Sequence, residues 1–173
     1  MKKILTIFVF ILSLISIPGV FANSYGWGFR KNKDHLPPDI GIYHEEIKDT
    51  NTYYIGNPEE KVIYLTFDAG YDNGTLGKIL DILKEKNVKA TFFVTGDFLE
   101  KEKDLTLRMA YEGHIVANHS DNHKDITKLS DSELKEELEK VEEKYFLITG
   151  QKMTKFFKSE EHTSELQSRR DLV

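Results

Sequence analysis

Three side chains suited to hydrolytic chemistry lie just after apolar runs of the sequence. Asp68 ends the run YLTFD, and His119 and His123 stand four residues apart in NHSDNH, after another apolar run. Two neutral imidazoles at this spacing can bind one divalent metal ion if Ser120 begins a helical turn, because residues four apart share a helix face. A bound metal ion acidifies water and polarises a carbonyl group, and a nearby carboxylate can remove the proton from that water. The pattern therefore indicates metal-assisted hydrolysis of an amide or an ester.

Each of these residues also has a plain structural explanation. A lone pair of histidines four apart is more often accidental than metal-binding, and an aspartate after a strand is commonly a turn or cap residue. The three gain weight together because they follow successive strands. His114 stands at the start of its strand, at the opposite rim, and is expected to be structural. Asp97 and Asp121 could either support the site or cap a helix.

The elements that must position these groups alternate between strand and helix from residue 61 onward. Short apolar, β-rich runs predict strands over 62–67, 89–96 and 114–118, with a fourth beginning over 154–157. Apolar strands that alternate with helices form parallel sheets with the helices outside. The carboxyl ends of such strands meet at one rim, so Asp68 and both histidines are expected there. Four strand–helix steps are too few to close a parallel barrel, so the sequence predicts an α/β fold that is the first half of a larger one.

Helix-ending signals separate these strands. Apolar residues at helical spacing predict a helix over 75–86, which Asn87 can end, and a second helix over 104–112 ends at Gly113. The sequence Ser130-Asp131-Ser132-Glu133 is a capping box that begins a third helix, and Gly150 closes it. The apolar stripe of this third helix is predicted to be Leu134, Leu138, Val141, Tyr145 and Ile148.

The composition excludes several classes of function. The 173 residues contain no cysteine, so neither a disulfide framework nor thiolate chemistry is available. The net charge of −5 gives no indication of a nucleic-acid partner. An apolar fraction of 39% with 31% charged residues is typical of a soluble globular protein, and the length suffices for one domain with a core.

The first 22 residues are typical of a secretory signal peptide. Lys2-Lys3 precedes the uncharged apolar run Ile4–Ile17, and Val-Phe-Ala fits a cleavage site after about Ala22. The alternative is a retained membrane anchor, for which the apolar run is short. Both readings place the domain outside the cytoplasmic membrane.

The regions on either side of residues 61–158 have no persistent helical or strand period. Residues 23–60 are rich in Gly, Pro, Asn and charge and predict an irregular arm that packs through Trp27 and Phe29, with a plain linker as the alternative for residues 31–36. Residues 159–173 follow a strand that has barely begun, and Ser159–Ser168 back-translates to a string resembling a sequencing-library adapter. We expect this tail to be non-native. Its Glu161, His162 and Glu165 are not expected to bind metal.

The ordered motifs resemble the polysaccharide deacetylases of the NodB-homology type, carbohydrate esterase family 4. The resemblance covers about residues 61–158 and is carried by YLTFDAGYDNG, KATFFVTG and EGHIVANHSDNH, where the family motifs read T-F-D-D-G and H-[ST]-x-x-H. It implies that the chain forms the N-terminal half of a distorted (β/α) barrel. It also implies that Asp68 is the general base and that His119 and His123 bind a divalent metal ion, with zinc expected.

Ala69 departs from the family motif, because it stands where the family has a second, metal-binding aspartate. The resemblance therefore implies a weakly held ion with an extra water or substrate oxygen. Asp72 could compensate, although Asp-Asn-Gly equally predicts a plain turn. The R-P-P-x-G motif should begin where FFKSEE stands, and the L-L-H motif with the general acid is absent. The chain by itself is therefore expected to be an inactive fragment.

The arm points to one branch of the family. YGWGFRKNKDHLPPDIGIY together with TFDxGYxNG resembles the sporulation-associated enzymes that deacetylate N-acetylmuramic acid in peptidoglycan, before muramic δ-lactam forms in spore cortex. This implies a peptidoglycan glycan strand as partner and an extracytoplasmic location at the cell wall or spore cortex. It implies no nucleic acid, no evident protein partner, and membrane contact only through an uncleaved signal segment. The alternatives are a deacetylase of N-acetylglucosamine in peptidoglycan or chitin, and a non-catalytic glycan-binding pseudoenzyme.

Overall fold

The computed structural model describes residues 36–41 and 43–158, apart from the side chain of Glu46. The predicted signal peptide over residues 1–22, the arm up to residue 35 with Trp27 and Phe29, and the tail over 159–173 lie outside the described residues. None of the helices in the described part of the chain is both long and apolar enough to cross a lipid bilayer.

Strands and helices alternate from residue 66 onward, after one short helix in the arm. The helices are α1 (Tyr43–Ile47), α2 (Leu76–Glu85), α3 (Gly96–Lys101), α4 (Lys103–Tyr111) and α5 (Asp131–Thr149), with a 3₁₀ turn at Ile126–Lys128. The strands are β1 (Thr66–Ala69), β2 (Thr91–Val94) and β3 (Ile115–Asn118). The alternation predicted from the sequence is confirmed.

The three strands form a parallel sheet in the order β1-β2-β3. Thr66 pairs with Thr91, which in turn pairs with Ile115. Phe157 adds a parallel bridge to Asn118, so the predicted fourth strand has begun beside β3. The α/β class with parallel strands and helices outside is therefore confirmed.

The first strand begins four residues later than predicted. Residues 62–65 are not part of the sheet and are exposed, with Ile63 at 80%. The limit is set by the partner strand, because β2 begins at Thr91, whose N–H donates to the carbonyl of Leu65 at 2.9 Å. The strand also ends later than predicted, at Ala69, so Asp68 is part of the strand itself.

The short helix α3 was missed by the sequence analysis, which gave its first residue to a strand. Thr95 caps α3, since its hydroxyl accepts the N–H of Phe98 at 3.2 Å. Six residues are too few to show a helical repeat, so only the Thr cap and Asp97 in the first turn could have indicated it.

Helix α5 has the predicted ends but a more polar buried face than predicted. Ser130 and Glu133 form the complete capping box, and Gly150 ends the helix with a φ of 71°. Val141 and Tyr145 are buried as predicted, but Glu137 is also buried on this helix. A carboxylate on an inward face needs partners, because burying an unpaired charge is costly.

The core lies between the sheet and the helices. Its fully buried side chains are Phe92, Phe98, Leu80, Leu99, Met109, Val94, Val141 and Thr106. Phe67 stacks on Phe92 with ring centroids 5.1 Å apart, which ties β1 to β2. His114, at the opposite end of the sheet from Asp68, is 7% exposed and its Nδ1 accepts the N–H of Ala90 at 3.2 Å.

The neutral state of buried His114 makes folding sensitive to mild acid. Burial, followed by the nearby Lys89 ammonium, lowers the pKa of His114 below 6.5. Its contribution to stability is complete above the unfolded value of 6.5 and is lost as pH falls through the lowered folded pKa. We expect the free energy of unfolding, measured with urea, to fall between about pH 7.5 and about pH 5, and His114→Gln to reduce that fall.

Glutamine keeps an acceptor for the Ala90 N–H but does not titrate. His44→Gln, on the exposed helix α1, is the matched control and should leave the pH dependence as it is. An equal fall in wild type and His114→Gln would contradict the assignment.

Candidate active site

One pocket at the carboxyl ends of the strands brings the three predicted groups together. Asp68, from β1, and His119 and His123, from the loop after β3, all line it. Tyr71 and Lys144 line the same pocket. The side chains that the sequence analysis singled out therefore share one opening, which is the minimum condition for acting on one substrate.

The two histidine rings face each other at close range. Their centroids are 4.8 Å apart and their planes meet at 74°. They are not brought together by a helical turn at Ser120, the condition considered for the sequence, because Ser120 and His123 have φ values of 65° and 54°. Positive φ values at residues other than glycine are uncommon, so contacts from elsewhere in the fold must hold this loop.

His119 has the hydrogen bonding of a metal ligand. It is 3% exposed, and its Nδ1 lies 2.7 Å from the carbonyl oxygen of Lys158. A carbonyl oxygen only accepts, so Nδ1 carries the hydrogen and the lone pair of the neutral ring is on Nε2. Metal-binding histidines typically donate their other ring N–H in this way.

Lys158 also contacts the proposed base. Its ammonium pairs with Oδ2 of Asp68, and the two side chains are 24% and 20% exposed. One residue thus touches Asp68 with its side chain and His119 with its backbone. No local sequence signal pointed to Lys158, because its contact with Asp68 joins residues ninety positions apart.

The described residues supply only part of a metal coordination shell. No group of three or more His, Asp or Glu side chains in this part of the chain is arranged to hold an ion. Ala69 is 3% exposed within the core and offers no donor atom. Asp72 caps the start of α2, because its Oδ1 accepts the N–H groups of Thr75 and Leu76 at 3.2 and 3.1 Å, and it does not line the pocket. The two imidazoles fit two ligand positions of a divalent ion.

The two aspartates left open by the sequence analysis have different roles. Asp97 is in the first turn of α3 and pairs with Lys101 at 2.7 Å. Asp121 lies in the loop after β3, residues 119–125, which we call the histidine loop. It is 7% exposed, and its Oδ1 lies 2.5 Å from Nζ of Lys144 on α5. Lys144 also contacts Glu100 at 2.6 Å, so the loop is tied to two helices.

The sequence and the fold of the chain are similar to those of known proteins. Residues 55–159 match the sequence profile of the family described as polysaccharide deacetylase. The chain is 46% identical over 125 residues to the peptidoglycan-N-acetylmuramic acid deacetylase PdaA of Bacillus subtilis. The aligned region covers 72% of this chain and 48% of that protein. The chain is also 41% identical over 92 residues to a peptidoglycan-N-acetylglucosamine deacetylase of Bacillus cereus. That aligned region covers 53% of this chain and 34% of that protein.

Solved structures agree with this result. The structure of Bacillus subtilis PdaA, described as a family 4 carbohydrate esterase, matches with a TM-score of 0.74 at 42% identity. That match covers 78% of this chain and 58% of the PdaA chain. The chain spans about half the length of the Bacillus subtilis protein and about a third of the Bacillus cereus protein.

Gly96 is required by the close approach of the histidine loop to α3. A Cβ at residue 96 would lie 1.7 Å from Oδ1 of Asp121 and 2.9 Å from Nζ of Lys144. We therefore expect Gly96→Ala to displace Asp121 and to lower the free energy of unfolding by about 1–3 kcal/mol, measured with urea.

Gly77→Ala is the matched control for Gly96→Ala. The nearest atom to a Cβ at residue 77 is Cδ2 of Leu105 at 3.8 Å, an ordinary contact, and the residue lies in α2. This change should be neutral or should stabilise the chain by up to about 1 kcal/mol. Equal effects of the two substitutions would contradict the role of Gly96.

Proposed function

The chain belongs to the polysaccharide deacetylase family, and from this premise we propose that it is part of an exported peptidoglycan deacetylase that acts on N-acetylmuramic acid. The observation that supports the proposal most strongly is the meeting of Asp68 with His119 and His123 in one pocket. The product would be the precursor of muramic δ-lactam in spore cortex. The proposed divisions are a signal peptide over 1–22, an arm over 23–60, the deacetylase domain over 61–158 and a non-native tail over 159–173.

The proposed reaction is the hydrolysis of an acetamido group. A water oxygen adds to the acetyl carbon, the carbon–nitrogen bond breaks, and acetate and a sugar amine are released. Asp68 removes the proton from the attacking water. Because Lys158 engages Oδ2 of Asp68, Oδ1 is the oxygen that is free of this ion pair and can accept that proton.

His119 and His123 would hold a divalent metal ion, and we propose zinc. When bound, such an ion polarises the acetyl carbonyl and acidifies water. The residues of this chain prepare for it by fixing the ring of His119 through the Lys158 carbonyl, which leaves Nε2 as the donor. A general acid for the departing amine is not assigned among the described residues, so turnover is proposed for the full-length enzyme and not for this chain alone.

N-acetylglucosamine in peptidoglycan is the second candidate substrate, because a relative with that named activity is 41% identical. The higher identity to PdaA over a longer alignment supports N-acetylmuramic acid. Mass spectrometry of glycan strands treated with the full-length enzyme distinguishes the two, since the free amine would lie on muramic acid or on glucosamine. Loss of acetyl from neither sugar would favour a glycan-binding pseudoenzyme.

The role of Asp68 can be tested with an isosteric change. Asp68→Asn in the full-length enzyme keeps the shape and removes the basicity, so we expect deacetylation to slow by about 10²–10⁴-fold. Asp81→Asn, at an exposed residue on α2, is the control and should leave the rate within a few-fold. Comparable rates for Asp68→Asn and wild type would remove Asp68 from the mechanism.

The role of Ala69 can be tested by restoring a carboxylate. If residue 69 faces the ion, Ala69→Asp adds a charged oxygen ligand and should tighten zinc binding, measured by titration. The substitution also places a charge at a site that is 3% exposed, so the metal-free protein should be less stable. His119→Ala should weaken zinc binding. Unchanged affinity in Ala69→Asp would show that residue 69 does not face the ion.

A further inference from the structure

The histidine loop is anchored from outside the pocket by a buried carboxylate on α5. Glu137 is 3% exposed, and its Oε2 accepts the backbone N–H of Asn122 at 2.8 Å. Its Oε1 accepts the side-chain amide of Asn122 at 2.9 Å and the ammonium of Lys124 at 2.8 Å. Three donors from the residues on either side of His123 therefore converge on one carboxylate.

The charge of Glu137 is maintained by these donors. Burial alone would raise its pKa, but the hydrogen bonds from Lys124 and Asn122 lower the pKa to about 2. A carboxylate on the inward face of a helix is costly unless it is fully hydrogen-bonded, and an apolar residue would pack there without that cost. These contacts of Glu137 are all with the histidine loop, so Glu137 stabilises the loop.

The two histidines differ in how the fold holds them. His119 follows β3 directly, and its N–H donates to the carbonyl of Val94 at 3.0 Å, so the sheet places it. His123 is four residues farther, beyond Ser120, and has a positive φ itself. Glu137 fixes both the backbone and the side chain of Asn122, one residue before His123.

We propose that Glu137 is a positioning residue for the metal-binding histidine pair. By fixing Asn122, it sets the direction in which the chain enters His123 and thereby the spacing of the two rings. This inference rests on the proposed function, because it requires that His119 and His123 bind a metal ion. Glu137 itself does not contact the ion and acts only through the loop.

The test measures Co²⁺ binding by the full-length enzyme. Titration gives the affinity, and the visible absorption of the bound Co²⁺ reports its coordination. Glu137→Gln keeps the shape but replaces one carboxylate oxygen with an NH₂ group. Either the backbone N–H of Asn122, or the side chains of Asn122 and Lys124, then face a donor in place of an acceptor. We expect the affinity for Co²⁺ to fall by about 10–100-fold and the absorption band to change, as for the loss of groups that orient metal ligands. Glu136→Gln is the control, because Glu136 is exposed and pairs with Lys140, and it should change neither readout.

A second variant covers the case in which Glu137→Gln does not fold, as judged by circular dichroism. Asn122→Ser keeps the backbone N–H but removes the side-chain amide, so it should weaken Co²⁺ binding less than Glu137→Gln does. If Glu137 acts through Asn122, the double variant should lose less affinity than the sum of the single losses.

The outcomes separate this inference from the metal site on which it rests. If His119→Ala abolishes Co²⁺ binding while Glu137→Gln, or Asn122→Ser where only that variant folds, stays within twofold of wild type, the positioning role is overturned and the metal site stands. If wild type takes up no Co²⁺, or His119→Ala binds it equally well, both are overturned.

Discussion

The parallel register of the strands is the constraint on which the site depends. Asp68 lies opposite Phe93, and Val94 lies opposite Asn118, so the last residues of all three strands end at one level. Adjacent strands are only about 4.8 Å apart, which keeps side chains at that level within reach of a common ligand. An antiparallel pairing of the same segments would send Asp68 and His119 to opposite edges.

Two charged side chains of α5 help to hold the loop after β3 in an unfavourable backbone conformation. The loop after β3 contains two residues with positive φ. Helix α5 holds this loop through two side chains: Glu137 accepts the N–H of Asn122, and Lys144 pairs with Asp121. These two residues are seven apart and therefore lie on the same side of the helix. Polar burial on α5 thus stabilises the conformation that brings the two imidazoles together.

The features that the sequence predicted well are those with local causes. The capping box at Ser130, the ends of α2 and α4 and the apolar strands depend on neighbouring residues, and all were found. The start of β1 depends on where β2 begins, so the apolar residues 62–65 were wrongly included. The conformation of the loop after β3 depends on contacts with α3 and α5, and the partner of Asp68 comes from ninety residues away. Such contacts carry no signal in the local pattern, although that pattern did select three side chains that line one pocket.

The position of Lys158 describes the curvature of the sheet. In a flat sheet, the bridge at Phe157 would stand three strand spacings from β1, or about 14 Å away. Lys158, the next residue, nevertheless forms an ion pair with Asp68 on β1, which indicates that the sheet curls over these few strands. The ion pair therefore bridges the two ends of the curved sheet. It links the first strand to the last described segment. Release of that segment would break this ion pair and would also expose the amide hydrogens of Asn118 and Lys158, which bond between β3 and residues 156–158, to exchange with solvent.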